Sequence, residues 1–138
     1  MTVVIFDTSA FVQAIYWPHS TSRRALAGLA RRRYRTAITA ELLAEYIHVA
    51  NRLQSRFPEA NPSSTIAWLR TKSRLVEAAP LGHQRSRDPK DDPVLACALA
   101  AGASYIVAQD RDLLDLEKPF GVAIVTPAQF LRETAPDH

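Results

Sequence analysis

The chain has 138 residues, of which 47% are apolar and 22% charged, with a formal net charge of +3. This length and composition exclude a disordered chain and favour one globular domain with its own core. We expect that domain to cover residues 1–134, with a frayed tail over 135–138. The single cysteine excludes an internal disulfide and suits a reducing cytoplasm. The first residues lack the order of a signal peptide, and no apolar run predicts a membrane span.

The charges are unevenly distributed along the chain. Between Asp7 and Glu41 there is no acid, but there are six arginines: Arg23, Arg24, Arg31, Arg32, Arg33 and Arg35. From Asp88 to Glu117, by contrast, seven acids face only Lys90 and Arg111. A basic segment beside an acidic pocket is typical of a protein that holds a polyanion by its phosphates near a metal. A solvated helix face explains the same arginines equally well.

The first half of the chain is predicted to alternate strands and helices. In chain order these are a strand over 2–6, a helix over 9–16, a helix to about 33 that Ser20 or Ser22 can cap, a strand over 36–38, a helix from its cap Thr39 to about 56, a helix restarting at 61–64 and a strand over 74–78. Short β-branched strands without polar positions indicate a buried, parallel sheet.

The second half begins with a polar loop over 82–90. It continues with a helix that Asp92 can cap, with Pro93 at its first position and an end near Gly102, a strand over 104–108, a helix over 111–116, a strand over 122–125 and a helix from Pro127 to about 133. This alternation predicts an α/β fold with right-handed crossovers.

Two aspartates follow predicted strands. Asp7 ends the apolar run over 3–6, and Asp110 closes the run over 105–109. The carboxyl ends of parallel strands line the crevice in which open α/β sheets bind ligands. A carboxylate straight after buried residues is costly unless it is paired or faces a cleft. Asp7 or Thr8 can alternatively serve as a helix cap.

Glu45 is the third candidate acid. At about 100° per residue, the buried stripe of its helix consists of Leu42, Tyr46, Val49 and Leu53. Glu45 borders this stripe. Glu41 lies further round, towards His48 and Arg52, so we expect Glu41 to be solvated.

Asp92 is the fourth candidate, because the helix that it begins fixes its position. Asp88 and Asp91 compete with it in the same segment, and Asp91 is either a supporting ligand or loop surface. Ser9 can support Asp7 by donating its hydroxyl, and Asp112 can reach the pocket as an outer ligand.

The four acids together predict a site for a hard divalent cation, Mg²⁺ or Mn²⁺. Clustered carboxylates repel one another, so cations are needed to neutralise them. No competing chemistry is well formed in the sequence. It has no glycine-rich phosphate loop, no Cys/His zinc spacing and no serine elbow, and His19, His48 and His83 stand singly.

The chain resembles the PIN-domain ribonuclease family, especially the VapC-like toxins of bacterial and archaeal toxin–antitoxin pairs. The matching motifs are Ile5-Phe6-Asp7-Thr8-Ser9-Ala10-Phe11, Glu41-Leu42-Leu43-Ala44-Glu45, Asp88-Pro89-Lys90-Asp91-Asp92-Pro93-Val94-Leu95-Ala96 and the run from Ala101 to Leu114. The resemblance covers residues 3 to about 131. It implies a five-stranded parallel sheet in the order 3-2-1-4-5, a pocket for Mg²⁺ or Mn²⁺, and hydrolysis of single-stranded RNA.

Residue by residue, the resemblance places the acids of the family on Asp7, Glu45, Asp92 and Asp110, with Ser9 at the supporting hydroxyl. Gln109 departs from the pattern, because many members carry a threonine just before the fourth acid. The resemblance also implies a cognate antitoxin as partner, and we expect a homodimer. Under this hypothesis the six arginines hold the RNA backbone. Two alternatives are an inactive PIN-like module that binds RNA or protein, and a metal-dependent phosphatase for small phosphates.

Overall fold

The computed structural model describes residues 2–82, 92–116 and 118–135. The strands within these ranges are β1 Val4–Phe6, β2 Thr36–Ile38, β3 Ser73–Leu75, β4 Tyr105–Val107 and β5 Ala123–Val125. The helices are α1 Thr8–Tyr16, α2 Thr21–Ala30, α3 Ala40–Leu53, α4 Pro62–Lys72, α5 Asp92–Ala101, α6 Arg111–Leu114 and α7 Pro127–Glu133. Short 3₁₀ turns occupy Gln54–Arg56 and Pro119–Gly121.

The predicted elements are present in the predicted order. The polar segment that contains Asp88 and Asp91 lies outside the described residues, as do the last three residues of the tail. Within the described residues, no helix is both long and apolar enough to cross a membrane.

Short polar side chains begin several helices. Ser20 accepts a hydrogen bond from the backbone N–H of Arg23, and Thr39 accepts one from Leu42, both at 3.1 Å. Each bond satisfies a donor that the first turn of a helix leaves without an intrahelical partner. Of the two predicted caps for α2, Ser20 is therefore the one used. The carboxyl end of α5 is also as predicted. Gly102 directly follows this helix and adopts a left-handed conformation, with φ of 62°.

The sheet is parallel throughout the described strands. Its larger part has the order β1-β4-β5, with Ile5 opposite Ile106 and Ile106 opposite Ile124. β2 and β3 form a separate parallel pair. The two parts meet at one bridge between Val3 and Arg35. The predicted order 3-2-1-4-5 is therefore matched roughly, because the ladder between β1 and β2 is reduced to this bridge.

The core is centred on β1 and the helix that follows it. Val4, Ile5 and Phe11 are completely buried. The Phe11 ring packs against Tyr46 of α3 with 4.4 Å between the ring centroids. The Tyr46 hydroxyl in turn donates to the backbone carbonyl of Phe6. This packing holds α3 against the carboxyl end of β1.

Three expectations about element ends and faces were wrong. α2 ends at Ala30 and not near residue 33, because the chain must turn to bury Tyr34, whose hydroxyl donates to the carbonyl of Ala25 at 2.7 Å. β3 covers 73–75 and not 74–78, and two of its three residues are exposed. On α3, Ala50 is buried, whereas Val49 and Leu53 are only half-buried.

Gly28 makes room for Tyr34. A Cβ atom at residue 28 would lie 2.8 Å from Cε1 of that ring, which also packs at 5.6 Å from Phe130. Because the ring is fixed, we expect Gly28→Ala to lower the free energy of unfolding by about 1–3 kcal/mol. This loss occurs although alanine favours a helix by about 1 kcal/mol over glycine. Urea unfolding measures it.

The control is the same substitution in a Tyr34→Leu background. Without the ring, Gly28→Ala should be neutral or stabilising. Equal destabilisation in both backgrounds would mean that the ring is not the cause.

Candidate active site

A cleft of about 410 Å³ opens at the carboxyl ends of β1 and β4. It is lined by Asp7, Thr8, Ser9, Glu45, Val49, Arg52, Val94, Gln109, Asp110 and Leu113. Three of the four candidate acids, Asp7, Glu45 and Asp110, thus share one cleft. Residues from the β1–α1 junction, α1, α3, α5, the β4–α6 turn and α6 meet there, so the cleft depends on how these elements pack together.

Asp7 is buried at the floor of this cleft, with 3% of its surface exposed. It caps α1, since its Oδ1 accepts the N–H of Ala10 at 2.6 Å, so the alternative role as a helix cap is also realised. The Ser9 hydroxyl donates to the carboxylate at 3.0 Å from either oxygen. Oδ2 also accepts two longer bonds, from the backbone N–H groups of Gln109 and Asp110, at 3.3 and 3.4 Å. Hydrogen bonds therefore hold both oxygens of this carboxylate in place.

Burial raises the pKa of the Asp7 carboxyl from 3.8 to about 6, against the lowering effect of these hydrogen bonds. Hydrogen bonds to a carboxylate favour its charged form, but here the loss of solvation outweighs them. The ionised carboxylate consequently reduces the stability of the protein unless a cation approaches it.

Asp110 reaches the cleft because β4 lies beside β1. Phe6 is paired with Val107, and the N–H of Asp7 donates to the carbonyl of Val107 at 2.9 Å. Asp110 also caps α6, accepting the N–H of Asp112 at 3.0 Å. The side chain of Asp112 is not part of the cleft lining.

The two glutamates of α3 separate as the helical phase predicts. Glu45 is half-buried and lines the cleft, whereas Glu41 is exposed beside residues 75–78. Arg52 was assigned to the side of Glu41, but it lines the cleft with Glu45. The signal was present in the sequence, because seven residues are about two helical turns and place Glu45 and Arg52 on one face.

Asp92 begins α5 and is half-buried, but it is not among the residues that line the cleft, although Val94 is. Its competitor Asp91 is outside the described residues. In the described part of the chain, no three Asp, Glu, His or Cys residues are grouped closely enough to form a ready-made metal site. For Asp92 to ligate a cation in this cleft, its side chain would have to move, or a water would have to bridge it to the cation.

The donors in the cleft nevertheless fit a hard divalent cation. They are the carboxylate oxygens of Asp7, Glu45 and Asp110. Mg²⁺ commonly keeps several waters and is held by one or two carboxylates together with substrate phosphates. A site built on Asp7 and Asp110 meets this requirement without a third nearby acid.

Gln109 contributes to the cleft in a way that the sequence did not reveal. Its backbone N–H donates to Asp7, and its side-chain amide donates to Oε1 of Gln13 at 2.6 Å. The amide also lies 3.3 Å from the hydroxyl of Ser22, which is completely buried and donates to Gln13 at 2.5 Å. This network ties the β4–α6 turn, and so Asp110, to α1 and α2.

The basic segment does not border the cleft as expected. The Arg23 guanidinium donates to the carbonyls of Ala14 and Ile15, at 2.6 and 3.3 Å, and so supports the end of α1. Arg35 pairs with the start of β1, at the opposite end of that strand from Asp7. The expectation was wrong because α2 carries the chain back from the carboxyl edge of the sheet to its amino edge.

Substitution of Asp7 tests the cost of its buried charge. In metal-free buffer at pH 7, we expect Asp7→Asn to raise the free energy of unfolding by up to about 3 kcal/mol, since one pKa unit corresponds to about 1.4 kcal/mol. The cost of the wild-type carboxylate grows as pH rises from 3.8 to about 6 and is fully present above it. The advantage of asparagine should therefore disappear below pH 3.8, which urea unfolding across this range measures.

The matched control is Glu59→Gln, which removes an exposed acid. It should show no comparable pH-dependent gain. A destabilised Asp7→Asn protein at pH 7, or an effect that does not vary with pH, would contradict the assignment of a costly buried charge.

Comparison with known proteins agrees with this geometry. Residues 3–112 match the model of a PIN domain family. The crystal structure of PAE2754 from Pyrobaculum aerophilum has a similar fold, with a TM-score of 0.62 at 19% identity, covering 98% of this chain and 91% of that one. No curated protein matches the chain. The chain therefore belongs to the PIN domain family, whose members are generally nucleases and typically use divalent metal ions.

Proposed function

We propose that this protein is a metal-dependent endoribonuclease that hydrolyses phosphodiester bonds of single-stranded RNA. The observation that carries the proposal is the shared cleft of Asp7, Glu45, Asp110 and Arg52. Carboxylates suit a cation, and a guanidinium suits a phosphate oxygen through its planar fork of donors. An arginine among acids therefore fits a substrate that brings phosphate to a metal.

The roles of the acids follow from their surroundings. Asp7 and Asp110 would hold a divalent cation, Mg²⁺ or Mn²⁺, with Asp92 as a further ligand. Bound there, the cation would activate water and offset the negative charge that develops on the phosphate during in-line displacement. Ser9 and the N–H of Ala10 fix the Asp7 carboxylate in its orientation.

Two residues of α3 act on the reacting groups themselves. Glu45 reaches the cleft from the side of α3 and orients the attacking water. Arg52, two turns later, holds a phosphate oxygen of the strand. Val49, Val94 and Leu113 supply the apolar part of the lining.

The biological role that we propose is that of the toxin in a toxin–antitoxin pair, acting in the cytoplasm as a homodimer. The support is the resemblance of the acidic motifs to those toxins. A cognate antitoxin would then be the protein partner.

Removal of the metal or of one ligand tests the activity. We expect EDTA to silence cleavage of single-stranded RNA and added Mg²⁺ or Mn²⁺ to restore it. Asp7→Asn and Asp92→Asn should each abolish cleavage in a folded protein, since each removes a ligand charge. The matched control is Asp115→Asn, an exposed aspartate outside the cleft, which should remain active.

Full activity of purified Asp7→Asn would refute the metal-site assignment. Comparable hydrolysis of a small phosphate ester would instead favour the phosphatase alternative. For the biological role, the wild-type chain should slow the growth of a bacterial host and Asp7→Asn should not. Equal growth with both would argue against a toxin.

The two glutamates of α3 form a matched pair for a second test. Glu45→Gln should reduce kcat far more than Glu41→Gln, because only Glu45 lines the cleft. Both substitutions remove one charge from the same helix, so a general effect of charge on RNA binding affects them alike. Similar kcat values for the two variants would show that α3 does not supply a catalytic group.

A further inference from the structure

The amino edge of β2 and β3 lies opposite the cleft and presents a group of cations. Arg35 immediately precedes β2, and Lys72 immediately precedes β3. The parallel register pairs Thr36 with Ser73, which brings Arg35 and Lys72 to neighbouring positions. Both side chains are exposed. Lys72 thus joins a charged surface to which its position in the sequence gave no link.

Three more arginines extend this surface. α2 ends at Ala30, and Arg31, Arg32 and Arg33 are exposed in the turn that follows. The turn is well defined, since Arg32 has φ of 60° and the N–H of Arg33 donates to the carbonyl of Gly28 at 2.9 Å. We call the surface formed by Arg31, Arg32, Arg33, Arg35 and Lys72 the basic edge.

The basic edge is separate from the cleft. Arg35 is paired with Val3, and Asp7 lies four residues further along the same chain segment. At about 3.3 Å per residue, the two positions are about 13 Å apart along the sheet. A phosphate held by the cleft acids and their cation is therefore not the phosphate that these arginines contact.

We propose that the basic edge is a second RNA-binding surface, which holds the phosphate backbone without help from the cleft or its metal. The inference rests on the proposed ribonuclease function. Arginine binds phosphate oxygens through paired donors, and such contacts carry little sequence information. Glu133 and Arg33 both line an adjoining cavity of about 360 Å³, and the single charge of Glu133 offsets only part of the positive charge.

RNA is favoured over a protein as the occupant. Protein interfaces usually contain apolar or aromatic side chains at their centre. In the described residues, the exposed large apolar side chains are Trp17, Ile47, Leu75 and Phe120, and none of them belongs to the basic edge. A surface of cations without an apolar anchor suits a polyanion.

The test measures binding of a single-stranded RNA of about 16 nucleotides, the upper end of common single-strand site sizes. It is carried out in EDTA at several salt concentrations, so that no cleavage occurs and the cleft keeps its negative charge. The wild-type protein is compared with Arg33→Gln/Arg35→Gln. The matched control, Arg56→Gln/Lys118→Gln, removes the same charge from exposed residues elsewhere.

We expect the wild-type protein to bind the RNA in EDTA with a steep salt dependence. Arg33→Gln/Arg35→Gln should flatten the slope of log affinity against log salt by about 1.4, which corresponds to about 0.7 for each lost phosphate contact on a single strand. The control pair should leave the slope unchanged. Equal slopes for all three proteins, or no binding of RNA by the wild type in EDTA, would overturn the inference.

Cleavage by the wild-type protein with Mg²⁺ or Mn²⁺ separates this inference from the proposed function. RNA that is cleaved, but bound equally by all three proteins in EDTA, would refute the basic edge alone. RNA that is bound through the basic edge but never cleaved would refute the ribonuclease proposal alone.

Discussion

The burial of the Asp7 carboxylate at the junction of β1 and α1 is the constraint on which the rest of the site depends. The residues of β1 are buried, so Asp7, which follows the strand, has only 3% of its surface exposed. The domain meets this cost with hydrogen bonds from α1 and from the β4–α6 turn. The same bonds fix the distance between α1 and β4 and so bring Asp110 to the cleft. The helix cap of α1 and the proposed metal ligand are thus the same residue, Asp7.

The chain also separates its charges by topology. Each parallel strand runs from the amino edge to the carboxyl edge, so residues before and after a strand lie on opposite sides of the domain. Acids follow β1 and β4, whereas cations precede β2 and β3. The net charge of the whole chain, +3, does not reveal this separation. A polyanion therefore encounters attraction at one edge, and at the other it encounters carboxylates that need a cation.

Sequence patterns predicted the α/β class, the order of the elements and the position of Asp7, because buried β-branched strands and helix caps are local signals. Glu45 was distinguished from Glu41 by helical phase alone. The errors concern relations between distant segments. Where α2 ends depends on the burial of Tyr34 against Phe130, and whether the arginines border the cleft depends on the direction of α2. Gln109 was missed because its contacts are with residues on other elements. Arg52 was missed because the faces of α3 were judged from the buried stripe alone, although Arg52 shares a face with Glu45.

Binding of a divalent cation in the cleft around Asp7 is measured without RNA by titrating Mn²⁺ into the protein. The loss of the electron paramagnetic resonance signal of free Mn²⁺ reports the bound ion. We expect the wild-type protein to bind Mn²⁺, Asp7→Asn to lose most of that binding, and Asp115→Asn to retain it. Equal binding of Mn²⁺ by all three proteins, or none by the wild type, would mean that the cleft around Asp7 is not a cation site.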